Sequence, residues 1–193
     1  MRCIKVRITA LLAAMAVFFP PLVLADGAAP GVIDKVQVTG VENFSRLSGS
    51  SGFGGPVAGF GGATKPSAMA ALRDAGFASV INLRLSGEED VALDASRAAA
   101  EASGLRYIHL PLDSAKADPV VVENILTALG NPTNQPVYIH CGSATRAAAL
   151  WMIGRVLRDG WEIDAASAEA QQIARKPEQA IAFATNYLDK HAR

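Results

Sequence analysis

From residue 66 onward the apolar positions fall into two alternating rhythms. Residues 66–75 place Met69, Leu72 and several alanines at helical spacing, and Gly76 marks a stop. Ser79-Val80-Ile81-Asn82-Leu83-Arg84 is a short β-branched run, which predicts a buried strand. Ser86-Gly87-Glu88-Glu89 reads as a capping box that opens an alanine-rich helix ending at Gly104. Residues 106–110 (RYIHL) predict a second strand, and Asp118-Pro119 cap and start a helix running to Leu129. Residues 136–140 (PVYIH) predict a third strand. A helix over 145–159 stops at Gly160, and two more are expected near 164–174 and 177–190. Strands that alternate with helices of ten or more residues argue for an α/β single domain. Its central sheet is mostly parallel and flanked by helices on both faces. No internal repeat interrupts this plan.

Upstream the pattern is different. Residues 35–64 are sparse in helix formers, and Gly49 to Gly62 holds seven glycines in 14 residues, interleaved with Phe53, Val57 and Phe60. A P-loop is excluded by the order Gly62-Ala63-Thr64-Lys65, which lacks the GK[ST] ending. A glycine-rich loop or irregular short strands are expected instead. Residues 26–34 read as a flexible leader. Residues 1–25 contain Arg2, Lys5 and Arg7, no acid, and an apolar run broken by Pro20-Pro21 that ends in Val23-Leu24-Ala25. That is the build of a signal peptide cleaved after Ala25. The functional domain then spans 35–193, and the expected location is periplasmic or secreted, with no stable membrane insertion after cleavage.

Composition changes meaning once that cut is made. The whole chain has 193 residues, 18 basic and 18 acidic side chains, and two cysteines. Without residues 1–25 it keeps 168 residues, 15 basic against 18 acidic side chains, and one cysteine. A net charge of −3 excludes general nucleic-acid binding. One cysteine excludes an intramolecular disulfide and multi-cysteine zinc sites. The three histidines, His109, His140 and His191, have no metal-like spacing, so neither metal nor cofactor is expected. Cys141 is left as a thiol that needs a reason.

Its surroundings supply one. Val137-Tyr138-Ile139-His140-Cys141-Gly142-Ser143-Ala144-Thr145-Arg146 places a cysteine at the end of a buried strand, then small residues, then an arginine entering a helix. The carboxyl end of a parallel strand faces the crevice where α/β proteins bind ligands. The helix that follows offers free N–H groups and the positive end of its dipole. An anion there is held by the loop amides of residues 142–146 and the bidentate fork of Arg146. The same field favours a thiolate, and thiols in such positions reach pKa values of roughly 3.5–7.5.

The segment resembles the phosphate-binding loop of cysteine-dependent protein tyrosine phosphatases, especially the dual-specificity-like group. It is most similar to a bacterial, beta-lactamase-hydrolase-like branch with four residues between cysteine and arginine. HCGSATRAAALWMIGRVLRDGW, GATKPSAMAALRDAGFASVINLR and GLRYIHLPLD carry the resemblance, in the family's order, over roughly residues 42–190. It implies the dual-specificity phosphatase fold and hydrolysis of a phosphomonoester through a phosphocysteine on Cys141. Gly142, Ser143, Ala144, Thr145 and Arg146 would bind the phosphate, and His140 would fix the loop through backbone hydrogen bonds. The substrate implied by the resemblance is a phosphoprotein or a small phosphate ester. Asp113, just after the second strand, stands where the family tends to place its general acid, with Asp118 as the alternative; each also fits a capping role. Two departures are visible: Ala144 replaces a common glycine, and Ala147 replaces the Ser or Thr that helps the thiolate leave. Either Ser143 or Thr145 would substitute for that hydroxyl, or turnover would be slow.

Arg84 is expected to pair with Glu88 or Glu89. Trp151 is expected in the core, and Trp161 stapling the turn at Gly160. Two other functions compete. CGSATR also fits the CxxGxR loop of rhodanese-like sulfurtransferases with Ala144 in place of glycine. A non-catalytic phosphate-binding module would use Arg146 and the amides and leave Cys141 idle.

Overall fold

The computed structural model describes residues 29–191; the signal-peptide segment lies outside them. Six strands form one sheet: β1 (Val32–Asp34), β2 (Ser45–Ser48), β3 (Val57–Gly61), β4 (Ser79–Asn82), β5 (Arg106–His109) and β6 (Val137–His140). Their spatial order is β1-β2-β3-β6-β4-β5. The pairs β3/β6, β6/β4 and β4/β5 are parallel, and β1/β2 and β2/β3 are antiparallel. Each parallel neighbour is reached by a helical crossover, as parallel pairing requires. The helices are α1 (Met69–Asp74, after a 3-10 turn at Pro66–Ala68), α2 (Leu93–Ala102), α3 (Pro119–Gly130), α4 (Thr145–Asp159), α5 (Ile163–Ile173) and α6 (Pro177–His191).

The period-2 rhythm of the strands sorts two cores. Val137, Ile139 and Ile81 point to one face, where they pack with Leu126, Leu150 and Leu188 of the C-terminal helices. Tyr138 and Val80 point to the other, where they meet Met69, Leu72 and Ala100 of α1 and α2. β4 and β6 are buried along their whole length. The sheet is therefore covered on both faces, as the run of strands and helices predicts.

Two expectations are corrected. Residues 32–34, read as leader, form β1, an edge strand paired antiparallel to β2. Ala29 N–H also donates to Ser51 Oγ, so this end of the described chain is tied to the sheet. The supposed capping box does not start a helix. Asp90 has φ of 57°, off the helical path, and α2 begins only at Leu93. Glu88 is drawn elsewhere, as described below.

The glycine-rich stretch holds a real strand, β3, paired with β2 just before it. A Cβ on Gly61 would lie 2.0 Å from the hydroxyl of Tyr138. β3 can lie beside the tyrosine of β6 only because that position carries no side chain. Hydrophobic period reveals such a strand only weakly, because Ala58 and Phe60 fill one face while glycine takes the face toward Tyr138.

Candidate active site

Parallel pairing brings the carboxyl ends of β3, β6 and β4 to one edge, with Gly61 and Asn82 both in register with His140. Cys141 follows β6 directly and is 1 % exposed. Its N–H donates to Gly61 O (3.2 Å), and Ala63 N–H donates to Gly142 O (3.1 Å). A bridge between Gly62 and Ser143 completes the contact. A Cβ on Gly62 would come within 3.2 Å of Gly142 O and Ser143 Cα. The glycines after β3 thus form the floor on which the cysteine loop rests.

Ala144 has φ of 62°, in the left-handed region, and Thr145 then opens α4. That turn is what a glycine adopts without strain, so the structure explains why the alanine is a departure. The first N–H groups of α4 have no acceptor within the helix and face the crevice, at the positive end of its dipole. Ser143 and Thr145 hydroxyls lie 3.0 Å apart and bond to each other. Ala147 is fully buried in the core and brings no hydroxyl to the loop.

Arg146 is held from several sides. Its Nη1 donates to Leu83 O (3.1 Å), Leu112 O (3.0 Å) and Glu88 Oε1 (2.7 Å), and its Nη2 donates to Glu88 Oε2 (2.9 Å). The ends of β4 and β5 and a bidentate carboxylate therefore fix one edge of the guanidinium. Cys141 is the other neighbour close enough to act on the guanidinium. Burial acts to lower the Arg146 pKa, but Glu88 and the neighbouring Cys141 more than reverse that, and the group stays charged. The bond set leaves a preoriented fork beside a nucleophile, the geometry that equatorial phosphate oxygens require.

Glu88 is the residue that sequence reasoning missed. Its local spacing points to a capping box or a pair with Arg84. Arg84 Nε does reach Glu88 Oε2 (3.2 Å), and its Nη2 donates to Glu89 O. The second partner, Arg146, is 58 residues away in the chain, and no local spacing announces it. Burial would raise the Glu88 pKa; hydrogen bonds from Arg146, Leu85 N–H and Arg84 and the Arg146 charge outweigh it and hold it at about 2. A Cβ added to Gly142 would lie 3.6 Å from Glu88 Oε2, which places this ion pair against the loop itself.

His140 is buried and stacks on Tyr138 (centroids 5.6 Å, 10° between planes). Burial lowers its pKa to about 4, and the nearby backbone of Cys141 and Gly62 offsets only part of that. It is therefore a neutral wall beneath the loop; neither ring nitrogen makes a well-formed hydrogen bond. Behind it, Tyr138 Oη and Thr64 Oγ1 are 2.7 Å apart, and Thr64 Oγ1 donates to Gly62 O.

The two candidate acids separate. Asp118 accepts from Val120 N–H (2.8 Å) and is the N-cap of α3, exposed. Asp113 also caps a turn, accepting from Ala115 N–H (2.9 Å). It directly follows Leu112, whose carbonyl holds Arg146, so its backbone stands at the rim of the crevice. A cleft of about 450 Å³ opens from Thr145 and Arg146 toward α6, past Ser114, Gln179, Phe183 and Asn186. Among the described residues no three His, Cys, Asp or Glu side chains gather as a metal site.

Residues 60–158 match the family model for the phosphatase-like domain of beta-lactamase hydrolase-like protein. The chain belongs to this family. A beta-lactamase hydrolase-like protein of Xylella fastidiosa is 34 % identical over 84 residues, 42 % of this chain. Those residues span only 19 % of that relative, about a fifth of its length. Among solved structures, a DUF442 protein of Shewanella putrefaciens CN-32 superposes with TM-score 0.60 at 19 % identity, covering 78 % of this chain and 92 % of the other. TpbA of P. aeruginosa, in a cysteine-to-serine form bound to phosphotyrosine, gives TM-score 0.59 at 19 % identity over 83 % and 90 % of the two chains. The core catalytic domain of the PP-IP phosphatase Siw14 from S. cerevisiae gives 0.58 at 17 % identity over 81 % and 96 %. These likenesses establish a cysteine-phosphatase fold for this member of the beta-lactamase hydrolase-like phosphatase family. The match is to a phosphatase-like domain; sulfurtransferase is not favoured.

Proposed function

We propose that the protein is a phosphomonoester hydrolase of the tyrosine-phosphatase-like kind, working through a phosphocysteine. The observation that carries this is the Arg146 fork, pinned by Glu88 and two carbonyls with Cys141 as its near neighbour. In the first step Cys141 Sγ attacks phosphorus, the S–P bond forms and the bond to the leaving oxygen breaks. Asp113 gives that oxygen a proton. The loop amides and Arg146 carry the charge of the equatorial oxygens throughout. In the second step the Asp113 carboxylate takes a proton from water, the water oxygen bonds to phosphorus and the thiolate leaves. A thiol nucleophile and a cationic cradle supply what a metal would otherwise supply, so the reaction needs none.

Export is part of the proposal: residues 1–25 are an address, and the enzyme works outside the cytoplasm. No helix among the described residues is long and apolar enough to cross a membrane. The deciding experiment is hydrolysis of an aryl phosphate in the presence of chelator. Activity should be blocked by vanadate and abolished in Cys141→Ser. Full activity in that variant would overturn the reading. Vanadate binding without turnover would select the non-catalytic module, and sulfur transfer from thiosulfate to cyanide would select rhodanese chemistry.

A further inference from the structure

The cleft beside Arg146 does not end where the phosphate chemistry needs it to end. A second cavity of about 230 Å³ is lined by Lys116, Tyr187, Lys190 and His191, and shares Ser114, Phe183 and Asn186 with the first. The two form one trough. Along it α6 presents Gln179, Phe183, Asn186 and Lys190, four positions that fall on one side of a helix. Eleven residues of helix span about 16 Å. The trough thus starts at an arginine, runs past two amides and an aromatic ring, and closes on two lysines and a histidine.

That sequence of groups has a chemical meaning. The hydrolysis of a simple phosphate monoester uses only the end at Arg146. Lys116, Lys190 and His191 are exposed, and among the described residues no ion pair holds either lysine. The neutral middle section offers hydrogen bonds and an apolar face but no charge. Asp118 and Glu123 also lie near this end, close enough to Tyr187 to act on its hydroxyl. They limit how much negative charge the site accepts, so the attraction is moderate and falls with salt.

Building on the phosphatase reading, we infer that the substrate is an extended phosphomonoester whose leaving group carries a second anion, seated between Lys116 and Lys190. An extended peptide covers roughly 3.3–3.6 Å per residue. Covering the roughly 16 Å of the trough takes about four or five residues, so an acidic side chain that far from a phosphorylated one reaches the lysines, whereas adjacent phosphates on one small ring do not.

Two matched phosphotyrosine peptides test this, with glutamate or glutamine at the third to fifth positions on either side of the phosphorylated residue. Their affinities for full-length Cys141→Ser are measured by titration, which needs no turnover. The glutamate peptide should bind about threefold to tenfold tighter at low salt, the gain expected of two partly exposed ion pairs. In Cys141→Ser carrying Lys116→Gln and Lys190→Gln the ratio should fall to about one. Lys190→Glu should invert it. A small bisphosphorylated ring compound serves as the comparison ligand and should show no dependence on the two lysines. Equal binding of both peptides, or an unchanged ratio in the double variant, would overturn the inference. Aryl phosphate hydrolysis by the wild type, run alongside, separates that failure from a failure of the phosphatase reading.

Discussion

At the scale of single residues, Glu88 and Ala144 carry the greatest leverage. Glu88 acts on the chemistry through Arg146, as a positioning residue. Glu88→Gln keeps the shape and removes the charge that fixes the fork. A fork displaced by an ångström costs on the order of 100-fold, so kcat/KM should fall about 10- to 100-fold and vanadate should bind more weakly. The same carboxylate is linked to stability. Its pKa is depressed in the folded protein from 4.5 to about 2. Its contribution is complete above pH 4.5 and lost as pH falls through 2. Denaturant titrations should show a flatter acid limb in Glu88→Gln than in the wild type over that window. Ala144 pays roughly 1–2 kcal/mol for its left-handed backbone. Glycine there would relieve this but lose a buried methyl, about 0.8 kcal/mol, and gain unfolded-state freedom, about 0.4–1 kcal/mol. These nearly cancel, so Ala144→Gly should change stability by less than about 1 kcal/mol. Ala144→Val, β-branched and without room, should cost at least about 2 kcal/mol. Urea unfolding distinguishes the two.

At the scale of elements, α3 and α4 divide the labour. Asp118 starts α3, and Asp113 stands at the crevice. Asp118→Ala should lose about 1 kcal/mol of stability with the cap and keep its turnover. Asp113→Asn should keep its stability and lose roughly 100-fold or more in kcat on a poor leaving group. The reverse pattern would reassign the acid. Helix α4 is anchored at its far end by Arg155, which is fully buried. Arg155 pairs with Glu169 (2.8 Å) and Asp159 (2.9 Å) and lies against the rings of Trp151 and Trp161. It also donates to Ser51 O (3.0 Å), so α4, α5 and the glycine-rich turn share one charge. Arg155→Ala leaves two buried carboxylates without their counter-charge, each keeping one N–H donor (Trp151 Nε1 and Phe53 N–H), and should cost about 3–5 kcal/mol, read as a lower urea midpoint.

For the whole molecule, acid sensitivity has a second source in His140. Its pKa in the folded state is about 4, against an ordinary 6.5. The folded form binds that proton less readily than the unfolded chain, so stability falls as pH is lowered from 6.5 toward 4. His140→Asn should abolish this limb while leaving the Glu88 limb below pH 4.5. Much of this architecture was legible in the chain. The strand, cysteine, small loop, arginine and helix lie within 25 residues, and their order follows from periodicity, caps and a stop glycine. Trp151 and the C-terminal helices were readable because apolar spacing reports burial. β1 to β3 were not: β1 and β2 are three and four residues long, too short to show a period, and in β3 Gly59 and Gly61 leave one face without side chains. The false capping box shows the opposite limit: its residues matched a local pattern, and Glu88 was claimed by Arg146 instead. Short-range spacing determined which residues share one turn, and so the nucleophile, its loop and its helix. Only the tertiary fold decided which residues from 58 positions away steady the arginine, and which lysines of α6 and its neighbouring loop close the trough. Chain connectivity constrains the first, while the second depends on sheet order and helix packing that many sequences of the same local pattern could arrange differently.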